Sequence, residues 1–219
     1  MSDNSSVDLA ALLCSRLCHD MLSPIGALNN GLELLADERD PEMRAKCMEL
    51  LEQSARASAD KLKFFRLAFG AAGGYGEMVE VDEPKAAISA LIGENKRITV
   101  NWALAEGKLP KDAVKVLLNL AHIAIDALIR GGTLDIGAEM RDGASEIVVR
   151  ASGSRLAFDE DIGRVLQGEL AAGELTGRTA PAHMLYLLAE QAGGGLQYKV
   201  NDDTLVLGAV LPQPEGLIG

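Results

Sequence analysis

Residues 9–36 read LAALLCSRLCHDMLSPIGALNNGLELLA, with apolar positions recurring at the period of a helix. Working outward, Asp37-Glu38-Arg39-Asp40 makes a polar turn, and Asp40-Pro41-Glu42 opens a second helix. Asp40 suits the N-cap, Pro41 the first helical position, and Glu42 the positive end of the helix dipole. Small or apolar residues then recur at 43, 47, 51, 55, 58, 62, 65 and 69, in steps of three and four that match a bundle seam. The glycine-rich run from Gly70 to Gly76 ends this helix and reads as a linker. Each helix would be about 40 Å long. Two helices bury one seam and leave a broad apolar arc wet, so the spacing predicts a homodimer whose hairpins form a four-helix bundle.

From about Glu77 the pattern alternates. Helices are predicted at Pro84–Glu94, Lys111–Arg130, Asp159–Gln167 and Pro181–Ala192. Strands are predicted at Arg97–Leu104, Thr133–Met140, Glu146–Ala151, Leu196–Val200 and Thr204–Leu211, the last two joined through Asn201-Asp202-Asp203. The fold class is therefore α plus α/β: a helical hairpin over residues 1–70, then an α/β sandwich over 77–219 with helices on one face of a mainly antiparallel sheet. Pro212 to Gly219 reads as a frayed tail.

Composition narrows the functional classes. Charged residues make up 24% of the 219 and apolar types 48%, as in an ordinary globular protein. The net charge is −11, with 8 basic and 11 acidic side chains in residues 1–70 and 13 and 21 in the remainder. That balance argues against nucleic acid, whose phosphates need Lys and Arg, and against an anionic membrane surface. Val114 to Ile129 is interrupted by Asn119, His122 and Asp126 and is too short to span a bilayer. Met1 to Asp8 lacks the basic start and apolar core of a signal peptide, so the expected location is cytoplasmic. Cys14, Cys18 and Cys47 fit neither a disulfide framework nor a zinc spacing and read as helix-packing residues.

One histidine stands apart. With His19 at zero on a helical wheel, Leu13, Leu17, Met21, Leu28, Leu35, Cys14, Cys18, Ile25 and Leu32 fall between about 120° and 260°. His19 lies opposite, beside Ser15, Arg16, Ser23, Gly26 and Asn30, in solvent. Asp20 follows it directly and could orient the imidazole. Pro24 has no N–H, so the Asp20 carbonyl loses its helical partner. Gly26 keeps the surface low, while Leu12 and Leu22 add apolar area near the histidine. An accessible imidazole on a shallow patch suits attack on a phosphoryl group presented by another protein; the plain alternative is a solvated helix face carrying one histidine. His122 and His183, in apolar helices, read as structural.

Cys18-His19-Asp20-Met21-Leu22-Ser23-Pro24 resembles the H box of bacterial sensor histidine kinases. The second half resembles their ATP-binding (Bergerat) domain with its ligands removed. Leu117 to Ala124 is similar to the N box, but Ile123 stands where a magnesium-binding asparagine belongs. Ile147 to Gly153 is similar to the strand bearing the adenine-binding aspartate, with Ala151 in that place, and the glycine-rich lid is reduced to Thr176-Gly177-Arg178. The negative charge of this half would also repel ATP, so no nucleotide is expected. A phosphorylatable histidine on a dimeric hairpin, joined to a degenerate kinase-like domain, resembles the ChpT family of alphaproteobacterial histidine phosphotransferases. Leu12 to Asp20 and Gly31 to Leu35 fit it well. The resemblance implies a phosphorelay from the receiver domain of a hybrid kinase to response regulators of the cell cycle.

The expected site is then His19 as phosphoacceptor, Asp20 as orienting base, and Arg16 and Ser23 one turn to either side as contacts for phosphate oxygens. Leu12, Leu22, Gly26 and Asn30 are the receiver-docking candidates, with residues 48–58 of the second helix expected level with His19. The chain itself is expected to hold no cofactor or metal, Mg²⁺ coming from the receiver. An unorthodox autokinase and a non-catalytic dimeric scaffold stay open as alternatives.

Overall fold

The computed structural model describes residues 3–70, 77–93 and 97–212; all but Gly70 of the expected linker Gly70–Gly76, and all but Pro212 of the expected tail Pro212–Gly219, lie outside them. Two antiparallel helices lead: α1, Asp3–Asp37, and α2, Pro41–Phe69. Asp40 caps α2, its carboxylate accepting from the Glu42 N–H at 3.1 Å. The turn is held from the other side by Arg44, which donates to the carbonyls of Leu35 and Glu38 at 3.0 and 2.8 Å. Along α2, Cys47, Ser54 and Phe65 are buried and Leu51, Ser58 and Lys61 half-buried, two interleaved heptads. Met43, Ala55 and Leu62, which the spacing assigned to the seam, are exposed in the single chain, as are Cys14, Cys18, Ile25 and Leu32 on α1. One hairpin has one seam, so the wider arc that the spacing predicted is only half covered.

The remaining elements are β1 (Met78–Glu80), α3 (Asp82–Ile92), β2 (Ile98–Leu104), β3 (Lys108–Pro110), α4 (Lys111–Ala127), β4 (Gly132–Arg141), β5 (Ala144–Ser152), α5 (Glu160–Leu166), α6 (Ala180–Gln191), β6 (Gly195–Val200) and β7 (Thr204–Pro212). A single 3-10 turn spans Ala172–Glu174. The main sheet runs β2-β4-β5-β7-β6; β2 and β4 are parallel and every other neighbouring pair is antiparallel. The small β1–β3 pair, three residues a side, carries no alternation long enough to be read from sequence. β4 and β5 are joined by Asp142-Gly143, with φ of 50° and 75°, a turn in which both residues take the left-handed region that matches strand twist.

α4 is the centre of the molecule. Val114, Leu117, Leu118, Ala121 and Ala124 are fully buried, and burial runs round most of the helix because the sheet, α2, α3 and α6 surround it. The end of α2 enters the same core through Phe64, Phe65, Leu67 and Ala68. Asn119 fixes the junction, its Nδ2 donating to the Ala68 carbonyl at 3.0 Å and the Lys115 carbonyl at 2.8 Å. The hairpin is thus anchored into the α/β half rather than tethered beside it. Phe64, with no exposed surface, packs edge-on against Phe65 and His122. Phe64→Ala is expected to destabilise the whole chain by about 3–5 kcal/mol in chemical denaturation, with one cooperative transition, whereas Leu62→Ala, on the exposed side, changes stability far less.

Candidate functional site

His19 projects from α1 with 81% of its side chain exposed. Its Nδ1 lies 3.2 Å from Asp20 Oδ1, leaving Nε2 as the ring nitrogen not engaged by Asp20. Arg16, one turn earlier, donates through Nε to Asp20 Oδ2 at 2.7 Å, so the two oxygens of one carboxylate serve two neighbours. Arg16 then reaches across to α4, its Nη2 meeting Asp126 Oδ2 at 3.3 Å. The other Asp126 oxygen faces His122 Nε2 at 3.9 Å.

Pro24 leaves its mark as expected. The Asp20 carbonyl, deprived of the N–H four residues on, accepts instead from Lys61 Nζ of α2 at 2.9 Å. Asp20 is thereby held by both its side chain and its backbone. Partial burial disfavours its charged form, but hydrogen bonds from Arg16 and His19 outweigh this and hold the carboxyl below its ordinary 3.8. For Arg16 desolvation is likewise the largest single influence, and Asp20 and Asp126 together overcome it, so the guanidinium is bound more firmly as a cation. His122 is pushed below its ordinary value by burial, with Asp126 opposing, and is neutral at pH 7.

The remaining sequence candidates fall at different distances from this network. Leu22 is 68% exposed and Ser23 is exposed, both next to His19 in the chain. Gly26 opens onto free space, since a Cβ there would meet nothing within 4 Å. Asn30 is exposed on the same face, about 16 Å further along the helix. Leu12 is half-buried rather than free, because the loop before α6 sits on α1: a Cβ at Gly177 would lie 3.5 Å from the Leu12 carbonyl and 3.8 Å from the Arg16 nitrogen. Residues 48–58 are not level with His19. Gly31 packs on Leu51, and Asp20 meets Lys61, because equal rise on both arms of a tight hairpin pairs positions of constant sum. The segment level with His19 is centred near Lys61 and Leu62.

Lys61 and Asp126 are the members of the network that sequence reasoning missed. The orphaned carbonyl announced a missing donor, and the hairpin arithmetic would have pointed to position 61. Asp126 carried its own signal, an acid in the last turn of a helix, where the dipole disfavours it.

The N-box-like region lines a cleft of about 50 Å³ between Arg16, Asn119, His122, Asp126, Asp159 and Arg178. Ligand pockets for small molecules are typically several hundred Å³. Asn119 spends its donors on backbone carbonyls, Ala151 is buried in the sheet, and Arg178 pairs with Asp159 at 3.1 Å. The Asn119 amino group and the Arg178 guanidinium are thus engaged by protein partners. Among the described residues, no group of three or more His, Cys, Asp or Glu side chains is arranged to hold a metal ion, and no helix is long and apolar enough to cross a membrane.

Residues 81–204 match the family described as "Histidine phosphotransferase C-terminal domain". The protein phosphotransferase ChpT of Brucella abortus (strain 2308) is 34% identical over 205 residues, 94% of this chain and 96% of that protein. A solved structure described as the 1.7 Å structure of a bacterial phosphotransferase is 33% identical, covering 95% of this chain and 97% of that one with a TM-score of 0.80.

The lowered pKa of Asp20 makes an acid-side prediction. Its contribution to stability is fully present above 3.8 and is lost as pH falls through the lower folded-state value. Urea denaturation should therefore find wild type more stable than Asp20→Asn at neutral pH, with the gap closing as the pH drops below 4. A gap constant from pH 7 to pH 2 would show that the carboxylate is not held by its partners.

Proposed function

The chain belongs to the histidine phosphotransferase family, and from that membership we propose that it is a phosphorelay intermediate whose phosphoacceptor is His19. The observation that carries this reading is the arrangement of one imidazole: 81% exposed, with one nitrogen held by a carboxylate and the other not engaged by it. The Nδ1–H donates to Asp20, so the Nε2 lone pair is the nucleophile. It attacks the phosphorus of a receiver aspartyl phosphate in line. The N–P bond forms, the P–O bond to the donor aspartate breaks, and that aspartate leaves as a free carboxylate. The proton stays on Nδ1, where Asp20 stabilises the cationic phosphoimidazole. The reverse steps deliver the group to the aspartate of a response regulator; the family resemblance implies regulators of the cell cycle. Such transfers depend on positioning and charge neutralisation, and the receiver supplies the Mg²⁺.

Arg16 supports Asp20 from one side and Lys61 from the other, and Ser23 stands ready to meet phosphate oxygens. Leu22 and Gly26 offer the flat apolar ground on which a receiver docks, with Asn30 further along and Leu12 at its covered edge. The narrow cleft near Asn119 supports a chain that takes its phosphoryl group from proteins rather than ATP. Ile25 at 44% and Leu32 at 56% exposure, in register with Cys14 and Cys18, support a homodimer that closes a four-helix bundle over this stripe.

Mixing the protein with a radiolabelled phospho-receiver should give label stable to alkali and lost in acid on wild type, and none on His19→Ala or His19→Gln. Label acquired from ATP alone would instead identify an autokinase, and unchanged partner regulation by His19→Ala would identify a scaffold. For assembly, light scattering should report twice the chain mass for wild type, and Ile25→Glu with Leu32→Glu should give the monomer.

A further inference from the structure

We propose that Asp126 is a positioning residue for phosphoryl transfer, acting on His19 through Arg16 and Asp20. The inference rests on the reading of His19 as phosphoacceptor and assigns the α/β half a task at that site. Three contacts in series lead from α4 to the imidazole: Asp126 Oδ2 to Arg16 Nη2 at 3.3 Å, Arg16 Nε to Asp20 Oδ2 at 2.7 Å, and Asp20 Oδ1 to His19 Nδ1 at 3.2 Å.

Each contact orients the next. A guanidinium is a rigid planar fork, so fixing Nε and Nη2 on two carboxylates sets its plane, whereas Asp20 alone would leave it free to turn about one bond. Asp20 in turn gives one oxygen to Arg16 and the other to His19, so the angle of the carboxylate sets the angle of the ring. The fixed end of the series is α4, buried on most sides and tied to α2 through Asn119.

The Arg16–Asp126 pair joins a half-exposed carboxylate, at 55%, to a guanidinium that is 18% exposed and also bound by Asp20, so loss of Asp126 leaves the guanidinium with one of its two carboxylates. The place of Asp126 in the last turn of α4, with no basic residue there, is electrostatically unfavourable for an acid, and Arg16 supplies the compensating charge from another element.

The test measures initial rates of His19 labelling from a radiolabelled phospho-receiver, using the full chain. Asp126→Ala and its isostere Asp126→Asn should each lower kcat about ten-fold, with the receiver KM within two-fold of wild type and Tm nearly unchanged. Asp126→Glu should restore part of the rate. Arg16→Ala should lower the rate too, and Asp126→Ala should cost nothing further in that background, because the two act in series. Independently of transfer, ¹⁵N imidazole spectra should show the Nδ1–H form of His19 dominant in wild type and mixed with the Nε2–H form in Asp126→Ala. If wild type takes no label, the phosphoacceptor reading fails and the inference with it. If wild type is labelled but Asp126→Ala keeps pace, or its loss adds in full to that of Arg16→Ala, the inference alone is overturned.

Discussion

The insertion of the α2 end into the core around α4 is the constraint on which the rest depends. Phe64, Phe65 and Ala68 are buried with Leu117, Leu118 and Ala121, and Asn119 binds the Ala68 carbonyl in the middle of that contact. Removing so much apolar surface from water fixes the azimuth and height of α2 on α4. α1 is packed along α2, so its position relative to α4 follows. That is why a carboxylate more than a hundred residues distant in sequence lies within reach of Arg16. Had the hairpin been joined only by the glycine-rich segment, no such contact could be held in register.

The same junction gives residues in nucleotide-domain-like contexts a structural task. Asn119, which sits in an N-box-like context, acts here as a structural donor that joins two helices. Arg16 enters from α1 and stands with Asp126 and His122 in the narrow cleft. Asn119 and Ala151, which resemble ligand-binding positions, serve here in hydrogen bonding and packing. The half that is retained is therefore tied to the histidine-bearing helix by side chains and not only by its fold.

Much of the architecture was legible because its signals are local. Asp40-Pro41 marked the second helix, strand-like runs marked all five strands of the main sheet, and the wheel put His19 in solvent. The β1–β3 pair was not, since three residues cannot establish a period. The expected seam positions Met43, Ala55 and Leu62 are left exposed in the single chain for another reason. Spacing shows that a face is apolar but not which part of it the partner helix covers. The level of residues 48–58 was misjudged because it depends on where the hairpin turns and on equal rise along both arms.

The sequence by itself determined that His19 is exposed, that Asp20 adjoins it, and that Pro24 frees a backbone carbonyl, because each follows from neighbours within one helix. Tertiary structure decided what answers those facts. Lys61 takes the free carbonyl, and Asp126 takes the outer edge of Arg16. Those partners come from other elements, and the distance between elements is set by how side chains fill the core. Periodicity carries no record of that distance.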